Sequence, residues 1–180
     1  MLERWIWLAI GCVAGCDGGS GVNCGNDTGT LHATFSNLRG ANTDGSYDAT
    51  CVYAAFDMFS SDVSFELSTI EAPAPRQLDK AINLSLHTTP EAGMTVQLPA
   101  SSFFTALDFV DYTMLDSSGG NRDWQVSTGS VTFINYAGPG HPADLHVTAD
   151  MVPRSTANTV GTFTITFDCH IDNVNSVSSP

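Results

Sequence analysis

Basic residues are scarce in this sequence. Its 180 residues include 6 Lys and Arg against 19 Asp and Glu, which gives a formal net charge of −13, and Lys80 is the single lysine. Nucleic-acid binding depends on Lys and Arg side chains that neutralise phosphates, so this composition excludes a nucleic-acid partner. The same charge opposes electrostatic docking on anionic lipid. Such acidity most often serves solubility in water.

The motifs of common enzymes and metal sites are also missing. The sequence contains no Gly-x-Ser-x-Gly nucleophile elbow and no Cys-x-x-Cys pair of the kind that binds zinc. The five histidines are spread along the chain, at His32, His87, His141, His146 and His170. His146 and His170 fall on polar positions of alternating segments and are predicted to face water on one sheet. We expect no catalytic residue, no cofactor and no metal ligand.

No apolar run reaches the ~20 residues that cross a bilayer as a helix. The run at residues 5–15 is short, follows a start with one arginine, and ends in Val13-Ala14-Gly15-Cys16. This segment resembles a bacterial lipoprotein signal peptide with its lipobox. The resemblance implies export, cleavage before Cys16, and acylation of Cys16. Because Glu3 and Arg4 both leave with the signal peptide, the net charge is unchanged.

The resemblance also implies where the protein is held. Several acyl chains on Cys16 would give a long-lived attachment, to the inner or outer membrane, facing the periplasm or the cell surface. Alternatives remain open: a plain secreted protein cut near Ala14, acylation of Cys12 instead, or a permanent transmembrane helix. Residues 1–15 are thus predicted to be the signal peptide, and residues 16–29, rich in Gly, Asp and Asn, a flexible spacer.

Cysteine usage in an exported chain predicts a disulfide, because disulfides persist in oxidising compartments. Once Cys16 is acylated, Cys24, Cys51 and Cys169 allow one bridge and leave one thiol. We favour Cys24 with Cys169, because these cysteines flank the first and last predicted strands. If those strands are antiparallel neighbours, the start of one lies beside the end of the other. Cys51 with Cys169 is the alternative.

Alternation of apolar and polar residues dominates residues 30–171, which form one predicted domain before a loose tail at 172–180. The clearest case is the series Phe163, Ile165, Phe167, Cys169 and Ile171. Strands with one buried face and one wet face, separated by Gly, Pro and Asn turn signals, are typical of antiparallel sheets. We predict an all-β, antiparallel β-sandwich of about 8–10 strands, given the usual lengths of strands and loops. A short helix near 101–110 competes there with a further strand.

Three stretches of this domain share a common pattern: GTLHATF at 29–35, TGSVTF at 128–133 and GTFTITF at 161–167. They resemble a loose group of bacterial lipoproteins that have β-sandwich domains and no assigned activity. The resemblance covers the start and the last third of the chain, and it implies no catalytic residues.

Two binding hypotheses arise from loops and aromatics. Residues 42–48 and 116–123 offer Asp and Asn oxygens around glycines, as calcium loops do, although turns use the same residues. Trp124 would suit stacking on a sugar if it were exposed, or a place in the core. We expect a non-enzymatic envelope lipoprotein, anchored to the membrane through Cys16, with an unknown protein or glycan partner. The alternative is a calcium- or carbohydrate-binding module, and a hydrolase is third.

Overall fold

The fold is all-β. A computed structural model describes residues 28–43, 45–59, 62–69, 80–98, 109–115, 121–154 and 159–177. Ten strands lie in these ranges: β1 (Thr28–Arg39), β2 (Ser46–Phe59), β3 (Asp62–Thr69), β4 (Lys80–Leu86), β5 (Thr95–Leu98), β6 (Phe109–Leu115), β7 (Asn121–Tyr136), β8 (Ala143–Pro153), β9 (Thr162–Ile171) and β10 (Asn175–Val177). None of the described residues belongs to a helix long and apolar enough to span a bilayer.

The sheet closes on itself. Its strands follow the order β1-β9-β8-β7-β6-β4-β3-β2, and β2 pairs back with β1. Eight antiparallel strands therefore form a closed barrel. Two short strands lie off this ring: β5 pairs with β7, and β10 runs parallel to β2.

The prediction of all-β, antiparallel structure is confirmed, but the predicted sandwich is wrong. Leu31 on β1 lies opposite both Ala49 on β2 and Cys169 on β9. Because β1 is paired on both sides, it has no free edge and joins the two ends of the sheet. The sheet is therefore closed, whereas a sandwich would have two separate sheets stacked face to face. Alternating patterning is the same for a barrel and a sandwich, which is why the sequence did not separate them.

The core is the barrel interior, built from the inward positions of the alternating strands. On β9 the predicted series holds: Phe163, Ile165, Phe167, Cys169 and Ile171 are all buried. Each residue on the inward face of β9 meets an inward residue of β1 and of β8, as Phe167 does with Ala33 and Val147.

The cysteines differ from both predicted pairings. Cys169 is a free, buried thiol. The first and last predicted strands, β1 and β9, are antiparallel neighbours as expected, but the Cys169 side chain points into the barrel. Cys51 lies on β2, with β1 between it and β9, and two strand spacings of about 4.8 Å exceed the ~7 Å reach of a disulfide. Cys51 is disulfide-bonded, with a partner outside the described residues.

Several predictions fall on residues that the structure does not describe. They include the signal peptide, Cys12, Cys16, Cys24 and the spacer up to residue 27. The predicted helix near 101–110 lies there as well, except that Phe109 and Val110 begin β6. The predicted loose tail, 172–180, contains β10, where the Asn175 amide donates a hydrogen bond to the Ala54 carbonyl oxygen at 3.2 Å.

Candidate functional site

Side chains fill the middle of the barrel. The largest fully buried ones are aromatic: Trp124, Tyr112, Phe65, Phe133 and Phe167. Tyr112 and Trp124 stack at 5.9 Å, and Phe163 meets Trp124 edge-on at 5.5 Å. An eight-stranded barrel is just wide enough for side chains to fill it. Among the described residues, a binding or catalytic site is therefore to be sought on the outer surface.

One row of outward side chains alternates between aspartate and histidine across four strands. We call Asp48, His32, Asp168 and His146 the His–Asp row; they lie opposite one another on β2, β1, β9 and β8. The His32 Nδ1 atom lies 2.5 Å from the Asp48 carboxylate, and His146 Nδ1 lies 2.7 Å from that of Asp168. The cross-strand register alone creates these pairs.

A third histidine lies beside the row, nearer the end of β9. His170 Nδ1 is 2.6 Å from the Asp144 carboxylate, and its Nε2 is 3.1 Å from Asp172. The hydrogen bond with Asp144 raises the pKa of His170, and the charges of Asp144 and Asp172 add to this, while partial burial opposes it. His146 and His170 both face water, as their alternation predicted.

Two members of the row, Asp168 and His146, are connected to Thr148 in the order of a carboxylate–histidine–hydroxyl triad, but the neighbouring groups are not those of a catalytic site. Asp168 contacts His146 Nδ1, and His146 Nε2 lies 3.4 Å from the Thr148 hydroxyl. Thr148, however, lies within β8, between Thr166 of β9 and Ser130 of β7. An oxyanion hole needs backbone N–H groups aimed at the reacting atom, and the amides around Thr148 belong to strands paired on both sides. The arrangement orients an imidazole but offers no acyl-transfer site.

The histidines of the His–Asp row are also poorly placed to share a metal ion. His32 and His146 are separated by β9, which places their backbones about 9–10 Å apart on a convex surface. Each also directs its Nδ1 at its own carboxylate. Across the described residues, no three His, Cys, Asp or Glu side chains form a group that could hold a metal ion.

Charge is sorted along the barrel axis. We call the end where β1 begins the tether end, because the chain enters the barrel there, and the opposite end the far end. The basic side chains of the described residues all lie at the far end, at strand termini: Arg39, Lys80, Arg122 and Arg154. The five histidines lie in the tether half, on β1, β8 and β9 or in the connections after β4 and β7.

Several hydrogen bonds join strands and loops near the far end. Arg122 Nη1 donates to the Asn42 carbonyl oxygen at 2.8 Å, and Trp124 Nε1 donates to that of Gly161 at 3.3 Å. Asp111 accepts a hydrogen bond from Asn83 at 2.7 Å and lies 3.5 Å from Arg154. Burial raises the pKa of Asp111, outweighing the hydrogen bond from Asn83 and the charge of Arg154.

The binding residues predicted from sequence are not brought together. Trp124 is 0% exposed inside the barrel, so the predicted place in the core is confirmed and the sugar-stacking alternative is wrong. In the loop at 42–48, the Asn42 carbonyl accepts from Arg122 and the Asp48 carboxylate faces His32. These oxygens therefore serve other partners. Most of the second loop, 116–120, and Asp44 of the first lie outside the described ranges.

A second group of polar residues, missed by sequence reasoning, lines a groove on the outer surface near the far end. It is formed by β1, β7, β8 and β9 and has a volume of about 370 Å³. The hydroxyl of Thr164 donates to the Asp150 carboxylate there at 2.8 Å. The signal in the sequence is the outward series Thr162, Thr164 and Asp150, but only strand register shows that its members meet.

Fold and surface together define a small, closed antiparallel barrel with a packed interior and a polar outer face. No family model matches this chain, and no curated protein or solved structure is significantly similar to it.

Proposed function

We propose that this chain is an exported lipoprotein of a bacterial envelope, held through acylated Cys16, and that its barrel binds a partner with its outer surface without catalysing a reaction. The packed interior is the observation that supports binding at the outer surface. Because the side chains of Trp124, Tyr112 and Phe133 are fully buried among others in the core, we expect a ligand to bind on the outer surface.

The proposed anchor fits the direction of the strands. β1 starts at Thr28, so a chain anchored at Cys16 reaches the barrel at the tether end after a short connection. The far end, with its groove and its basic side chains, then points away from the membrane. Charge supports a covalent anchor in particular, since the chain carries a net charge of −13 and anionic headgroups repel it as a whole.

Metabolic labelling tests the anchor. Cells that express the chain are grown with an alkyne analogue of palmitate, and the purified protein is examined by fluorescence and intact mass. We expect label on the wild type and on Cys12→Ser, and none on Cys16→Ser. An unlabelled wild type that accumulates in the medium would support the secreted alternative and overturn the anchor.

An activated-hydroxyl probe tests the absence of catalysis. A fluorophosphonate reagent labels serine and threonine nucleophiles that a histidine activates. We expect no labelling of the native protein at Thr148. Labelling that disappears in His146→Ala would show that the Asp168–His146–Thr148 arrangement is an active centre, and the non-enzymatic role would be abandoned.

The anchor also predicts the partner of Cys51. Cleavage removes Cys12, acylation occupies Cys16, and Cys169 is free, which leaves Cys24. Thr28 lies opposite Cys51 in the β1–β2 pair, so a bridge to Cys24 would fasten the spacer beside the first strand. Peptide mapping under non-reducing conditions should recover the two cysteines in one linked fragment.

A carbohydrate-binding role is the second candidate, and the groove near the far end is the observation that favours it.

A further inference from the structure

The groove near the far end is built from polar side chains of three adjacent strands, with Ser127 at one side. The polar groups that line it are Asn37 and Arg39 on β1, Thr162 and Thr164 on β9, Asp150 on β8, and Ser127 on β7. Its volume of about 370 Å³ lies at the lower end of the range of small-molecule sites. A single sugar ring with its substituents is the size of ligand that fits.

A bulge in β1 shapes the groove. The β1–β9 register shifts between Ser36 and Arg39, and Asn37 adopts a φ of 54°. It is the one non-glycine residue with positive φ among those described. This left-handed conformation is disfavoured for most residues that have a Cβ, and Asn adopts it more readily than most. Here it turns the Asn37 amide towards β9, where Nδ2 donates to the Thr164 hydroxyl oxygen at 3.3 Å.

Hydrogen bonds fix the polar groups before any ligand arrives. The Thr164 hydroxyl, which accepts from Asn37, donates a hydrogen bond to one carboxylate oxygen of Asp150 at 2.8 Å. The Thr128 hydroxyl donates to the other Asp150 oxygen at 3.3 Å. A carboxylate can accept about four hydrogen bonds, so Asp150 keeps capacity for ligand hydroxyls. Preorganised groups of this kind lose little entropy on binding.

Arg39 supplies a positive charge that nothing in the described structure neutralises. The side chain is exposed, and none of the ion pairs among the described residues includes it, in a chain with 19 acidic residues. A guanidinium presents a planar fork that matches a carboxylate in two hydrogen bonds. A ligand that carries a carboxylate suits Arg39.

Arg39 and Asp150 bind different parts of that ligand. Arg39 lies on β1 opposite Thr162, and Asp150 lies on β8 opposite Thr164, so β9 separates the two strands by about 9–10 Å. A pyranose with an exocyclic carboxylate can place the carboxylate at Arg39 and its ring hydroxyls at Asp150 and Asn37. A nucleic-acid phosphate chain does not suit the site, because its successive phosphates need several Lys or Arg side chains and Arg39 is the one basic residue that lines the groove.

We propose that this groove is a binding site for an acidic saccharide, a sugar unit that carries a carboxylate. The inference deepens the binding role proposed above by naming its ligand class, and it does not depend on the lipid anchor. The groove lies near the far end of the barrel, at the ends of β1 and β8 and the start of β9.

Calorimetric titration tests the site directly. The full chain in detergent micelles is titrated with a tetrasaccharide that contains two glucuronate units, and in parallel with its methyl ester. We expect binding of the acid and at least about tenfold weaker binding of the ester, because a hydrogen bond to a charged group contributes roughly 1.5–3 kcal/mol. Arg39→Gln should weaken binding of the acid by a similar factor and abolish the preference for acid over ester.

Matched variants separate binding from folding. Asn37→Gly keeps the backbone conformation while removing the amide, and should weaken binding with an unchanged circular dichroism spectrum. Arg154→Gln removes a basic residue of the same end that is already paired with Asp111, and should bind like the wild type. Equal affinity for acid and ester, an unaffected Arg39→Gln variant, or no binding of the acid at millimolar concentration would each overturn the inference. A successful Cys16 labelling experiment beside any of these results would leave the anchor intact.

Discussion

His170 and Asp144 face each other across the β8–β9 pair, with Nδ1 of the imidazole 2.6 Å from a carboxylate oxygen. This contact raises the pKa of His170 above its ordinary value of 6.5. A histidine whose pKa is higher in the folded state than in the unfolded chain stabilises the folded state when it is protonated. This contribution is fully present at pH values below the pKa of the unfolded state and is lost as the pH rises through the pKa of the folded state.

The first prediction concerns that titration. In Asp144→Asn the pKa of His170, followed by the NMR shift of its Cε1 proton, should fall towards 6.5. Wild type should exceed the variant in stability at pH values below 6.5, and the difference should shrink as the pH rises through the folded pKa of His170. Because the side chain of His170 is 49% exposed, the stability effect will be small and the NMR titration is the decisive measurement. Asp48→Asn, which removes the partner of His32, serves as the control and should leave His170 unchanged.

The second prediction concerns the thiol of Cys169. Burial, followed by the charge of Asp144, raises its pKa to about 12, and the thiolate is the reactive form. Iodoacetamide at neutral pH should leave Cys169 unmodified in the native protein and modify it once denaturant is added. Mass spectrometry of the tryptic peptides gives the readout. Rapid modification of the native protein would contradict the buried position.

The third prediction isolates a close backbone contact at the far end. Gly161 has a φ of +75°, and a Cβ there would overlap the backbone of Gly40 and Ala41. Gly161→Ala should destabilise the domain by more than the ~1–2 kcal/mol of the left-handed conformation itself. Gly140→Ala is the matched control, with a φ of +80° and open space around the added methyl group. Urea denaturation followed by circular dichroism should rank the two variants in that order, and equal losses would argue against the contact.

The fourth prediction concerns Asp111, whose side chain is 13% exposed beside Asn83 and Arg154. Desolvation raises its pKa, so the folded state binds its proton more tightly than the unfolded chain does, and stability declines as the pH rises past the unfolded value. Asp111→Asn keeps an oxygen that can accept from Asn83 and removes the buried charge.

The Asp111→Asn variant should therefore denature at a higher urea concentration than wild type at neutral pH. The advantage should shrink on acidification. Glu91→Gln, at an exposed loop position, should behave like wild type at both ends of the pH range. A loss of stability in Asp111→Asn at neutral pH would show that the contact with Arg154 outweighs the desolvation.

The alternation of residues 163–171 predicted a half-buried strand, and β9 occupies Thr162–Ile171. Sequence reasoning was weaker where strands are long. It recognised only the centre of β7, which runs from Asn121 to Tyr136 through a region of turn-like residues and pairs with three other strands. Pairing partners on both sides sustain such a strand against its local propensities.

The polar surface was less accessible to prediction. The outward positions of His146 and His170 followed from alternation, but their aspartate partners lie 22 and 26 residues away. His32 lies opposite Asp168 in the β1–β9 pair, whose two strands come from opposite ends of the domain's sequence. A shift of one residue in register would turn these side chains into the core, so the pairs depend on how the strands align and not on local pattern.

The sequence by itself determined the all-β class and the inward faces of the strands, because the period of two is a local property of an extended chain with one buried side. It also supplied the lipobox on which the proposed anchor rests. Only the tertiary structure decided that β1 pairs with both β2 and β9, and hence that the sheet is a barrel with Trp124 inside, a free Cys169 and a groove between Arg39 and Asp150. Those outcomes depend on contacts between residues far apart in the chain, whose register is set by the packing of the whole core.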